Sequence, residues 1–241
     1  MKNTEVLGIT FFNGETQEVV ERLKSGGLLV VPSGPGLATI NDDKVYYQSL
    51  LDADIVIADS GFMVLIWKLF RWKKINRISG LEFLQFFFAD KDVKSSRFLL
   101  VNPREEEALA NMNFLNSAGF SISPNDSYLA PLYDRESVID PALLAKIEQL
   151  RPQYVLINLG GGIQEKLGAW IKKNLSYKPA IICTGAAIAF FTGHQANIPT
   201  WADRIYIGWL LRCFQNPKVF VPRYLGAFKL FGMLVFSRDG R

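Results

Sequence analysis

Asp59 ends the apolar run Asp54–Ala58, which reads as a buried strand. A carboxylate there is costly if buried, but it can accept a proton if it reaches a substrate. Its plainer role is an N-cap for the helix expected from Gly61, because Asp is a favoured cap. Asn41 reads the same way, as a cap for a helix expected over Asp42–Leu51; Thr39, two residues earlier in its loop, is not needed for that job. A third stretch, Tyr154–Glu165, runs from an apolar strand through Gly160-Gly161-Gly162 into a helix opening on Gln164 and Glu165. Bare backbone and helix N–H groups would then lie at one sheet edge, where open α/β folds bind ligands, often anionic ones. Three glycines also make an ordinary tight turn. Glu165 is favoured in a first helical turn whatever its function, and Gln164 and Arg77 suit a plain surface.

Several chemistries are disfavoured. His194 is the single histidine, which argues against a His-based triad or a His-rich metal site. Asp52-Ala53-Asp54 has the form of a metal-binding Asp-x-Asp, but it precedes its strand and belongs to the opposite sheet edge. Gly34-Pro35-Gly36 lacks the third glycine of a dinucleotide fingerprint, and no Walker A loop occurs. No metal and no cofactor are expected.

The elements that must position these residues alternate strand and helix. Strands are expected over Val6–Phe12, Leu28–Pro32, Asp54–Ala58, Arg97–Val101, Tyr154–Leu159 and Ala180–Cys183, the last running into Thr184-Gly185-Ala186. Ser33–Gly36 and Ser127–Asp134 read as loop. The pattern predicts a Rossmann-like α/β fold, a mainly parallel sheet with helices on both faces. Residues 1–198 would form this domain, and residues 199–241 a C-terminal helical appendage, basic and aromatic.

At 241 residues and 49% hydrophobic, the chain can bury a full core. From Pro199 to Arg241, seven Lys and Arg against two Asp give net +5, leaving −1 for the rest of a chain whose total is +4. A basic tail suits phosphates, anionic lipid or nucleic acid. Its aromatics recur at helical spacing, which favours packing over base stacking, so no nucleic-acid partner is expected. Cys183 and Cys213 sit in apolar stretches, as small buried hydrophobes do in a reducing compartment. No signal peptide is evident, and no apolar stretch reaches the roughly 20 residues of a membrane span. A cytoplasmic protein, peripheral at the inner face of the cell membrane, is expected.

Several short motifs in order resemble the WecG/TagA/CpsF family of glycosyltransferases (family 26). They are Thr39-Ile40-Asn41, Asp59-Ser60-Gly61, Arg77-Ile78-Ser79-Gly80 and Gly160–Glu165. A later series follows: Thr192-Gly193-His194, Pro199, Trp201, Trp209-Leu210, Arg212 and Pro217. The likeness spans nearly the whole chain. The chain departs from the family where a Pro-Lys is Gly162-Ile163, where a Glu is Gly208, and where a glycine-containing turn is Asn102-Pro103-Arg104.

The resemblance implies an inverting, metal-independent transferase. It would move an N-acetylhexosamine-type sugar (N-acetylmannosamine or its uronic acid) from a UDP donor to a polyprenyl-diphosphate-linked sugar. Asp59 would be the base, with Thr39, Gln164 and Arg212 also catalytic. Asn41, Arg77, Gly160, Gly161, Gly162, Glu165, Gly185, His194 and Arg223 would bind substrate. The appendage would meet the membrane, and self-association stays open. A non-catalytic protein binding a sugar nucleotide or lipid headgroup on the same fold is the alternative.

Overall fold

The computed structural model describes residues 3–72, 74–193, 226 and 228–236. The chain opens with an antiparallel hairpin, β1 (Asn3–Val6) and β2 (Ile9–Phe12), where a single strand was expected. The reversal falls on Leu7 and Gly8, at φ 55° and 75°. A two-residue hairpin turn of type I′ needs positive φ at both positions. Leucine rarely adopts it, which is why the apolar run conceals the turn.

Six parallel strands follow: β3 (Gly27–Val30), β4 (Ile55–Val56), β5 (Phe98–Asn102), β6 (Ser127–Leu129), β7 (Tyr154–Ile157) and β8 (Ala180–Cys183). Their order is β4-β3-β8-β7-β5-β6, in parallel register throughout. The expected loop at Ser127 is therefore corrected. Ser127–Leu129 pairs with Leu100–Asn102 as an edge strand, too short and too polar to show a strand pattern.

The helices are α1 (Thr16–Leu23), α2 (Gly34–Leu37), α3 (Lys44–Leu51), α4 (Gly61–Arg71), α5 (Gly80–Ala89), α6 (Lys91–Lys94), α7 (Glu105–Ser117), α8 (Pro141–Leu150), α9 (Ile163–Asn174) and α10 (Phe228–Phe236). Alternate strand residues face opposite layers. Leu28, Val30, Val101 and Val155 pack with α3, α8 and α9, whereas Leu29, Leu100, Tyr154 and Leu156 pack with α1, α5 and α7. Burial on both faces explains why these strands read as unbroken apolar runs. The fold is the Rossmann-like α/β arrangement predicted. α9 lies so close to the sheet that a Cβ on Gly168 would come within 2.8 Å of Leu28 Cδ1 and 2.9 Å of Cys183 Sγ.

Topology marks one edge for function. α7 leaves β5 over one face and α9 leaves β7 over the other, while β6 and β8 lie to opposite sides of that pair. Ligands in open α/β sheets bind outside the strand C-termini at such a switch point. α10 docks nearby. Its Leu230 and Leu234 are wholly buried, Phe231 meets the edge of Phe70 at 5.5 Å, and Lys229 pairs with Asp42 at 2.6 Å. Among the described residues, no helix is long and apolar enough to cross a membrane.

Candidate functional site

Asp59 is not the cap of α4. Ser60 takes that role, its side chain accepting from the Met63 N–H at 3.2 Å. The Asp59 carboxylate is thereby released toward the start of α5, where Oδ1 accepts from the Gly80 N–H at 3.2 Å. Arg77 braces the same residue. Its Nε donates to the Asp59 carbonyl oxygen at 2.7 Å, and Nη2 lies 3.9 Å from Oδ1. The Asp59 side chain remains 36% exposed and that of Arg77 14%. A partly exposed carboxylate anchored through one oxygen keeps the other available for a proton.

From Asp59 a continuous line of contacts runs round the strand C-termini. On one side, a Cβ on Gly34 of α2 would stand 2.8 Å from Ser60 Oγ, so the loops after β3 and β4 abut. On the other, a Cβ on Gly80 would stand 3.5 Å from the Thr184 carbonyl oxygen after β8. Gly185, at φ 64°, then gives its N–H to Gln164 Oε1 at 2.7 Å. Gln164 Nε2 donates to Glu165 Oε1 at 3.1 Å, and Glu165 Oε2 accepts from the Gly162 N–H at 2.6 Å. The loops after β3, β4, β7 and β8 thus form one connected rim. Among the described residues Gly160 and Gly161 are exposed on it, and a Cβ on either would meet nothing within 4 Å.

Behind the glycine loop lies a buried polar group. Gln164 is 2% exposed and Glu165 1%, so both hold the loop from beneath. Burial pushes the Glu165 carboxyl up to about 7, against opposing hydrogen bonds from Gln164 and Gly162 and the Lys166 charge. Burial also raises the Tyr46 hydroxyl, with the Glu165 and Asp43 charges adding to it. The Cys183 thiol rises for the same reasons, burial first and then Glu165. Lys166 is 4% exposed; its Nζ pairs with Asp43 Oδ2 at 2.6 Å and donates to the Arg135 carbonyl oxygen at 2.7 Å.

These groups give a pH dependence with a definite sign. Between the unfolded carboxyl value of 4.5 and the folded value of about 7, native Glu165 keeps a proton that the unfolded chain has lost. Stability therefore falls as pH rises through that window, by about 3 kcal/mol at most. Asp54 acts at lower pH. Burial would raise it, but the Lys172 hydrogen bond, the Leu28 N–H and the charges of Lys172 and Lys178 together hold it below 3.8. Its contribution is present above that value and is lost as pH falls further. Thermal melts at pH 5 and pH 7.5 should show the wild type losing stability and Glu165→Gln losing much less. Equal losses would mean that Glu165 is ionised throughout.

The remaining expected residues are placed as follows. Thr39 is exposed on the turn after α2, its Oγ1 donating to the Gly36 carbonyl oxygen at 2.8 Å. That stretch is not all loop. Ser33 caps the one-turn helix α2 through the Gly36 N–H, at 3.3 Å. Asn41 is exposed and does not cap α3. Asp43 does, accepting from the Tyr46 N–H at 2.9 Å, so the helix starts at Lys44. Asp52 and Asp54 are structural, as expected: Asp54 binds the Leu28 N–H at 2.8 Å and Lys172 at 2.7 Å. His194, Arg212 and Arg223 lie outside the described residues. Ser60, Tyr46, Lys166 and Thr184 were missed. Only Ser60 had a local signal, as a second cap candidate beside Asp59.

At the switch point itself, Asn102 Oδ1 accepts from Asn111 at 2.8 Å and Asn158 at 2.9 Å. Among the described residues, the Asn158 side-chain oxygen and the Thr184 hydroxyl have no hydrogen-bond partner, and no group of three or more His, Cys, Asp or Glu is placed to hold a metal ion.

A parallel sheet whose C-terminal rim joins a glycine loop, an anchored carboxylate and an arginine defines a class: open α/β proteins, which bind ligands outside the carboxyl ends of their strands. Residues 4–240 match the sequence model of the glycosyl transferase WecG/TagA/CpsF family, and the chain belongs to that family. Membership makes it a glycosyltransferase of surface-polysaccharide synthesis, which implies in general terms a sugar-nucleotide donor and a lipid-linked acceptor. Among curated proteins, none matches the sequence.

Proposed function

We propose that the protein moves an N-acetylhexosamine-type sugar, N-acetylmannosamine or its uronic acid, from a UDP donor to a polyprenyl-diphosphate-linked sugar with inversion. Asp59 acts as base. The acceptor hydroxyl oxygen attacks the anomeric carbon, the bond from that carbon to the UDP oxygen breaks, and the proton passes to the carboxylate. The release of Asp59 from capping by Ser60 carries this reading, because it leaves a half-exposed carboxylate on the rim that bears Gly160 and Gly161.

The other roles are part of the same proposal. Thr39 and Asn41 contact the sugar, and Gln164 and Glu165 hold the glycine loop in place. Gly185 joins that clamp to the Asp59 side of the rim. Arg77 binds substrate beside Asp59, and Arg212 and Arg223 of the basic tail, with His194, are assigned by the family resemblance, the two arginines to the departing diphosphate, whose charge guanidinium groups and N–H donors meet without a metal. Residues 199–241 form an appendage that meets anionic lipid at the inner face of the cell membrane.

A binding-only reading draws on one observation, that Asp59 Oδ1 already serves as acceptor for α5. The two separate on one assay. A panel of UDP-sugars is offered with a polyprenyl-diphosphate-linked N-acetylhexosamine in EDTA. Release of UDP with one member of the panel supports transfer. Donor binding without product from any member leaves the binding reading.

A further inference from the structure

The edge strand β6 is followed by residues 130–140, a stretch without helix or strand that leads into α8. It is pinned on both sides of Arg135. The Tyr133 hydroxyl donates to Asp140 Oδ2 at 2.6 Å, and Asp140 Oδ1 caps α8 by accepting from the Leu143 N–H at 2.9 Å. Val138 is buried in the same apolar layer as Leu143, Leu167 and Ile171. Between these anchors, the Arg135 carbonyl oxygen accepts from Lys166 Nζ at 2.7 Å.

Lys166 fixes where Arg135 sits. It lies four residues after Gly162, about 6 Å along α9, and helical side chains lean toward the N-terminus of their helix. Its ammonium also pairs with Asp43 at 2.6 Å, just after the turn that carries Thr39 and Asn41. Three pieces of chain therefore meet at one buried cation: the first turn of α9, the turn after α2 and the stretch after β6. That stretch joins the loops after β3, β4, β7 and β8 as a fifth part of the rim.

Other cations on the rim are engaged by the protein itself. Lys166 and Lys229 pair with Asp43 and Asp42, and Arg77 holds the Asp59 carbonyl oxygen. Arg135 differs. Its side chain is exposed, and among the described residues its guanidinium has no hydrogen bond or ion pair. The neighbouring Asp134 carboxylate is turned back on its own stretch, accepting from the Glu136 N–H at 3.0 Å. A guanidinium on the flank of a floor without side chains suits a diphosphate, because its planar fork meets two phosphate oxygens at once.

We propose that Arg135 binds the diphosphate of the sugar-nucleotide donor above Gly160 and Gly161, held there by the bond from Lys166 to its carbonyl. The proposal rests on the reading of the glycine loop as the donor site. It adds a donor-binding residue that comes from the far edge of the sheet, apart from residues 199–241.

The test uses the full chain carrying Arg135→Ala, Arg135→Lys or Lys44→Ala. Arg135 and Lys44 are exposed, and the bond to Lys166 is made by a backbone carbonyl, so melting curves should match wild type. Lys44 opens α3 next to Asp43, and its loss removes one positive charge from a different place. Binding of UDP and of a short prenyl diphosphate is measured by calorimetry, and donor and acceptor KM in turnover. Arg135→Ala is expected to weaken UDP by at least about tenfold, the scale of lost hydrogen bonds between charged groups. The donor KM should rise alike. Arg135→Lys, which keeps the charge without the fork, should recover part of the loss. UDP affinity in Lys44→Ala, and prenyl diphosphate affinity and acceptor KM in Arg135→Ala, should stay near wild type. Wild-type UDP affinity in Arg135→Ala overturns the proposal. So does an equal loss in Lys44→Ala, which would reveal only a general field. A loss confined to the prenyl diphosphate would give Arg135 to the acceptor and overturn it too. Should Arg135→Ala lose UDP while the wild type turns over no UDP-sugar, the diphosphate contact stands and the transfer reading falls. Should Arg135→Ala turn over a UDP-sugar with the wild-type donor KM, transfer stands and the role of Arg135 falls.

Discussion

Asp59→Asn is expected to lower kcat by at least about 10²-fold, the loss typical of removing a general base, while KM for the donor changes little. The substitution is conservative for the fold. An asparagine oxygen can still accept from the Gly80 N–H, now 3.2 Å from Oδ1, so the start of α5 keeps its anchor. Ser60, not Asp59, caps α4, so that helix is untouched. The charge lost faces Arg77 at 3.9 Å across a partly solvated gap, and such pairs contribute about 1 kcal/mol or less. A large kinetic loss with an intact melting curve would therefore report proton transfer. Asp59→Ala should be worse for stability as well, because it strips the Gly80 N–H of its acceptor. Retention of a third or more of wild-type kcat in Asp59→Asn would place the base elsewhere.

How much of this was legible in the sequence depends on the range of the interaction. β5, β7 and β8 are apolar at consecutive positions because helices cover both faces, and that pattern survives in the sequence. The hairpin turn at Leu7-Gly8 does not survive, since nothing marks a leucine for positive φ. β6 becomes a strand only because Leu100–Asn102 lies beside it. α2 was hidden by Gly34-Pro35-Gly36, a sequence with loop composition that Ser33 and a proline in the first turn make helical.

The site divides along the same line. The residue types at the rim, Asp59, Arg77 and the three glycines, stand out as motifs. Whether Asp59 caps a helix or faces a substrate turned on Ser60, one position away, and on Gly80, twenty-one positions away. The buried pairing of Lys166 with Asp43 spans 123 residues and left no local trace. Gln164 and Glu165 carry family-like identities, yet their burial beneath the loop shows only in three dimensions.

The glycine loop yields the second large effect. Glycine is usually required by positive φ or by close packing. Gly162 meets the first condition, at φ 89°. Gly160 and Gly161 meet neither, for they are absent from the positive-φ set and, among the described residues, a Cβ on each would have nothing within 4 Å. The described residues therefore give no reason for two glycines here. A ligand approaching the backbone and the start of α9 gives one, because any side chain would occupy its place. Gly161→Val should accordingly leave stability within about 0.5 kcal/mol of wild type, as for an exposed site with no special backbone demand. The same change should lower kcat/KM for the donor by about 10²-fold, the cost of displacing a bound substrate by an ångström or so. Gly162→Ala provides the contrast: its effect should appear in the melt, at about 1 kcal/mol, from backbone strain. If Gly161→Val instead leaves the kinetics untouched, the donor does not lie against this loop, and the N-terminus of α9 is then only the end of a helix.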